Sequence, residues 1–152
     1  MLGIPIIDQP DEVEWFLPPS KSHMIRWIAL SSQCSTVTRL IFRGLPGRDI
    51  ISMADCVEEM GVSIERGAGQ WKIRKGEGAM NPPSTNLDCG NSATAAKILS
   101  FLVACFDFPV VIDGDSSLRR RDFTQLTKSL EDLGCKVSSD SCLLYTSDAA
   151  DE

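Results

Sequence analysis

The chain has 152 residues, enough for one domain or a piece of a larger protein, and a formal net charge of −6 that excludes general attraction to polyanions such as nucleic acid. With 43% hydrophobic and 24% charged residues it reads as a soluble globular chain. The longest apolar run, Ala95 to Phe106, has 12 residues, includes Lys97 and is too short to cross a bilayer. The N-terminus lacks a basic start followed by a sustained apolar core, so no secretory signal is expected. One histidine and six cysteines without a C-x-x-C pair offer little to zinc. The expectation is a cytoplasmic protein with reduced, mostly buried thiols and no metal or cofactor.

In chain order, residues 1–19 read as an extended lead-in, with Pro18 and Pro19 keeping the chain out of a helix until Ser20. Ser20 is a candidate N-cap for a helix opening at "SKSHMIR". Ser22 and Arg26 stand at i and i+4 on one helix face, and Lys21 sits at the turn. A helix N-terminus already carries partial positive charge and unpaired N–H donors, so two cations there gain nothing from the dipole. A bound anion accounts for them; on spacing alone, a capped surface helix with solvated cations accounts for them equally well.

After a strand at "LIFRG", Leu40 to Gly44, the segment Arg48 to Ile64 places apolar residues at 50, 53, 54, 57 and 60, a helical face that ends at Gly61. A strand follows, then another at "QWKIRK", Gln70 to Lys75. The second half repeats this plan. "RDIISMADCVEEMGVSI" matches "RDFTQLTKSLEDLGCKV", Arg121 to Val137, at an offset of 73, with apolar positions 123, 126, 130 and 133 and a closing Gly134. Upstream, "DCGNSATAAK", Asp88 to Lys97, stands where "SKSHMIR" stands in the first unit. There Gly90 and Asn91 allow a tight turn and supply a cap, and the small residues Ser92 to Ala96 let a ligand approach backbone N–H groups. "VIDGD" matches "LIFRG", and the loop after it carries Arg119, Arg120 and Arg121, a triplet that usually means a solvated charge run. The result is an α/β architecture of repeated units, one spanning 20–84 and one spanning 85–141. The tail, Cys142 to Glu152, turns abruptly acidic through Asp148, Asp151 and Glu152. It reads as an in-frame translation of a sequencing-library adapter, with the natural protein continuing beyond, and should stay outside the repeat, exposed or poorly packed.

Taken in order, "P-x-S-K-S-x-x-x-R", "G-N-x-x-T-A" and "G-D-x-S-L-x-x-R" resemble the 5-enolpyruvylshikimate-3-phosphate synthase (3-phosphoshikimate 1-carboxyvinyltransferase) family over residues 3–141. The related UDP-N-acetylglucosamine carboxyvinyltransferases have Lys-Asn where this chain has Lys21-Ser22. The resemblance implies an α/β (α+β) fold of βαβαββ units, two of them present here, with residues 1–19 as a strand and hinge segment. It implies transfer of the enolpyruvyl group of phosphoenolpyruvate to the 5-hydroxyl of shikimate 3-phosphate, by a full-length monomer with no nucleic-acid or membrane partner. In the family pattern Lys21 touches both substrates, and Ser22 and Arg26 hold the shikimate phosphate. Ala93 and Arg121 line the phosphoenolpyruvate site, with Asn91 and Thr94 beside it. No catalytic acid or base is assigned within this chain. Position 93 is usually Gly, Lys97-Ile98 stand where Arg-Pro is usual, and Asp122 where Pro is usual. A relative using another alcohol and a non-enzymatic phosphate-binding α/β module are the competing readings.

Overall fold

In the computed structural model the described residues are 17–76, 80–138 and, for the backbone only, 144–148. Most of the lead-in (residues 1–16) therefore lies outside the described residues. The elements run α1 (Lys21–Ser31), β1 (Thr38–Ile41), α2 (Arg48–Glu59), β2 (Ser63–Gly67) and β3 (Gln70–Arg74). They continue as β4 (Leu87–Asp88), α3 (Ala93–Val103), β5 (Val110–Asp113), α4 (Thr124–Asp132), β6 (Cys135–Ser138) and β7 (Leu144–Asp148).

The first sheet has the order β1-β3-β2, antiparallel throughout. Leu40 lies opposite Trp71 and Ile64 opposite Ile73, and all four side chains are buried. Alternation does the sorting: Trp71 and Ile73 point inward from β3, while Arg74, its last residue, stays exposed. Over this face pack α1 and α2. Ile50, Met53, Ala54, Val57 and Met60 are all buried, as the spacing predicts, and α2 stops at Gly61, whose φ of 89° suits a left-handed terminus.

The second sheet has the order β4-β5-β7-β6, with β4 and β5 parallel and the other pairs antiparallel. The crossover from β4 to β5 is α3, whose Ala95, Ala96, Leu99 and Val103 are buried. One core joins the two halves, running from Met24 and Ile25 of α1 to Leu126 and Leu130 of α4.

Four expectations need correction. Helix α4 begins at Thr124, three residues after the position the repeat makes equivalent to the start of α2, because the Asp122 carboxylate accepts the Thr124 N–H at 2.8 Å and turns the chain there. Leu133, a predicted core position, is 68% exposed, whereas its counterpart Met60 is fully buried. In the first unit the chain returns past the helix end, with the Asn81 N–H donating to the Met60 carbonyl at 3.0 Å; no described residue does this at Leu133. Among the described residues the thiols divide evenly rather than being mostly buried: Cys56 and Cys89 are buried, Cys34 and Cys105 exposed, and Cys135 half-buried.

The tail is the fourth. The backbone of 144–148 pairs with β5 on one side and β6 on the other, the place β3 occupies between β1 and β2. It therefore extends the repeat. Two open strand edges accept an extended segment of suitable length whatever its origin, so the locus itself is the test. Genomic DNA lacking codons 142–152 is the expected result, and their presence would make β7 a natural strand.

Candidate anion-binding site

The predicted residues fall at the N-termini of α1 and α3 and in the loop before α4. Ser20 is the residue before α1, but its side chain makes no capping hydrogen bond. Neither α1 nor α3 has an acidic residue in its first turn, so neither positive helix end is neutralised by its own sequence. Helix α2 differs, with Asp49 in its first turn. Lys21 reaches across to that carboxylate at 2.9 Å, joining the starts of α1 and α2. Lys21 is still 58% exposed and Asp49 only 24%, so the ammonium remains open to a ligand while the acid holds it in place. Arg26 donates to the Ser22 carbonyl at 2.8 Å, one turn back along α1, and both residues are exposed.

The turn before α3 is built from short-range contacts. Asp88 accepts the Gly90 N–H at 2.8 Å, and the Ser92 N–H donates to the Cys89 carbonyl at 2.9 Å. Gly90 has a φ of 55°, and a Cβ there would stand 3.1 Å from Ser52 Oγ on the second turn of α2. That close approach places the α3 turn against the start of α2. The cap is Ser92, whose Oγ accepts the Ala95 N–H at 3.2 Å; the expected capping by Asn91 is corrected. Asn91 instead projects its Oδ1 to Arg121 Nη2 at 2.5 Å. Ala93 and Thr94, the first two residues of α3, are half-buried, and Lys97 lies over the Phe123 ring at 5.9 Å.

Two chains of contact therefore link the motifs: Lys21 to Asp49 on α2, and α2 through Ser52 to the turn that carries Asn91 and Arg121. Sequence reasoning missed Asp49 and Ser52, whose role depends on α2 packing beside α1 and α3. It also misread Arg119. Its guanidinium forks onto Asp113, with Nε donating to Oδ1 at 2.8 Å and Nη2 to Oδ2, so it is a paired loop charge although 55% exposed. Burial pushes the Asp113 carboxyl up, but hydrogen bonds from Arg119 and the Gly114 N–H outweigh it and hold the group below the ordinary aspartate range. The 310 Å³ cleft beside this pair is lined by Asp88, Asp113 and Asp115 as well as Arg119, which makes it a poor anion site.

Gly114 is the tightest point. A Cβ there would run into the Gly90 carbonyl oxygen and the Leu118 side chain. Gly114→Ala is expected to cost ~1–3 kcal/mol as an overpacking change, read by denaturant unfolding; an unchanged midpoint would mean that the two turns can separate freely.

Repeated units with anion-ready helix ends and cations from three separate segments define an α/β protein suited to holding anions. A model of the EPSP synthase (3-phosphoshikimate 1-carboxyvinyltransferase) family matches residues 10–146, and the chain belongs to that family. The 3-phosphoshikimate 1-carboxyvinyltransferase of Herpetosiphon aurantiacus is 38% identical over 94 residues, covering 61% of this chain and 22% of its own length. That of Bacillus subtilis is 33% identical over 128 residues, covering 82% and 29%. The solved structure of EPSP synthase from Acinetobacter baumannii superimposes with a TM-score of 0.78 at 26% identity, over 88% of this chain and 31% of that one. The chain thus spans between a fifth and a third of the length of these relatives.

Proposed function

We propose that the full-length protein transfers the enolpyruvyl group of phosphoenolpyruvate to the 5-hydroxyl of shikimate 3-phosphate in the cytoplasm, as a monomer. The observation that carries this reading is the family match across residues 10–146, which takes in all three motifs. The hydroxyl gives up its proton to a base as its oxygen adds to C2 of phosphoenolpyruvate, while C3 gains a proton from an acid, giving a tetrahedral adduct. Loss of that proton equivalent from C3 and of phosphate from C2 restores the double bond. Both substrates are polyanions, and cations with helix N-termini stabilise the charge brought together as C2 becomes electrophilic. Lys21 is assigned to both substrates and Ser22 and Arg26 to the shikimate phosphate. Asn91, Ala93, Thr94 and Arg121 are assigned to phosphoenolpyruvate. The repeats are proposed as 20–84 and 85–141.

The test is product formation by the full-length protein from phosphoenolpyruvate and shikimate 3-phosphate, with UDP-N-acetylglucosamine as the competing acceptor. Transfer to shikimate 3-phosphate is expected. Transfer only to the nucleotide sugar would move the protein to the related class, and binding of both anions without turnover would make it a phosphate-binding module.

Ala93 gives a sharper expectation. The family's usual Gly faces the cleft shared by phosphoenolpyruvate and the longer anion glyphosate, and a methyl there occupies space the inhibitor needs. Overpacking of ~1–3 kcal/mol is about one to two decades of affinity. Ala93→Gly in the full-length protein should lower the glyphosate inhibition constant by that amount at matched phosphoenolpyruvate. Equal constants would place the methyl outside the cleft.

A further inference from the structure

The loop between β5 and α4 is fixed at more points than a connector of its length requires. Its Asp115 N–H donates to the Gly90 carbonyl at 2.9 Å, tying it to the turn before α3. The Asp115 carboxylate accepts the Ser117 and Leu118 N–H groups at 2.9 and 2.8 Å. Leu118 is fully buried, and the Arg119 and Arg121 N–H groups return to the Asp115 and Leu118 carbonyls at 3.0 Å each. Between the buried Leu118 and Arg121 stands Arg119, forked onto a carboxylate that is only 12% exposed. Asp113 is the last residue of β5, so the fork ties the far part of the loop to the rigid sheet. Arg121, two residues on, meets Asn91.

We propose that Arg119, held by Asp113, is a positioning residue that fixes the loop 114–121 so that Arg121 is presented beside Asn91 at the phosphoenolpyruvate side of the site. The inference rests on the function proposed above. A guanidinium makes two parallel hydrogen bonds to a carboxylate and so fixes direction as well as distance; an ammonium fixes only distance. Arg119→Lys therefore keeps the charge beside Asp113 and loses the geometry.

The full-length protein is compared with its Arg119→Ala, Arg119→Lys and Asp113→Asn variants. The KM for each substrate is measured separately, together with hydrogen exchange at the amides of Asp115 and Arg121. Misplacing a binding group by an ångström can cost up to about a hundredfold, so a rise in the phosphoenolpyruvate KM of about tenfold is expected in Arg119→Ala and Asp113→Asn, with Arg119→Lys intermediate. The shikimate 3-phosphate KM should stay within about twofold of native, while both amides exchange faster. If the alanine variant fails to fold, the lysine variant decides. An unchanged phosphoenolpyruvate KM, or both KM values rising together, overturns the proposal. If the native protein transfers nothing, the functional reading falls, and exchange decides the positioning alone: faster exchange at Arg121 in the lysine variant supports it, and unchanged exchange overturns it.

Discussion

Residues 1–152 alone should release no phosphate from phosphoenolpyruvate and shikimate 3-phosphate above an otherwise identical Lys21→Ala chain. The relatives this chain matches are about three times as long, since the 94 and 128 matched residues make up 22% and 29% of their lengths. What it holds of the proposed site is a set of exposed cations and small residues at helix ends. Lys21 is 58% exposed, and Ser22, Arg26, Asn91 and Arg121 are exposed as well. At 4 Å a unit charge pair is worth about 1 kcal/mol in water, against about 4 kcal/mol where the effective dielectric constant is near 20. An open face therefore loses most of the electrostatic stabilisation that a closed site concentrates on the transition state. A general acid or base typically contributes 10²–10⁴-fold, and none is assigned to this chain. The measurement is phosphate release with the two chains side by side. Turnover by the native chain, absent from the Lys21→Ala control, would show that these residues suffice.

Much of the fold was legible because apolar spacing and glycine act locally. The five apolar positions of α2 and the stop at Gly61 followed from the sequence, as did the repeat that predicts α4 and Gly134. The errors arose where a local hydrogen bond or a covering segment overrides the pattern. Asp122 delays the start of α4, and Leu133 lacks the cover that Met60 receives from the chain at Asn81. Strand β4, two residues long, is too short for any periodicity to reveal. At the site, Lys21, Asn91 and Arg121 were readable as cations and a small polar residue beside helix ends. Their partners were not: Asn91 and Arg121 stand 30 residues apart, and Asp49 meets Lys21 only because α1 packs on α2. The Asp113–Arg119 fork spans six residues and had a usable signal, an aspartate and an arginine bracketing a G-D-x-S turn.

Arg121→Ala in the full-length protein should raise the phosphoenolpyruvate KM by about one to two decades, and Arg120→Ala by less than about threefold. A hydrogen bond to a charged group contributes ~1.5–3 kcal/mol, which converts to that range at 1.4 kcal/mol per decade. The contrast follows from placement, since both arginines are exposed and carry the same charge. Arg121 donates Nη2 to Asn91 at 2.5 Å, beside the first turn of α3, where Ser92 already caps and no acid competes for an anion. Its guanidinium has five donors, so one bond to Asn91 leaves others for a carboxylate or phosphate. Asn91→Ala should then cost less than Arg121→Ala, and the double variant should cost less than the sum, because Asn91 acts by steadying the arginine. The cycle is read from the phosphoenolpyruvate KM of the four proteins. Strict additivity would mean that the two side chains act independently, and equal effects from Arg120 and Arg121 would mean a diffuse basic patch, which a binding module would use.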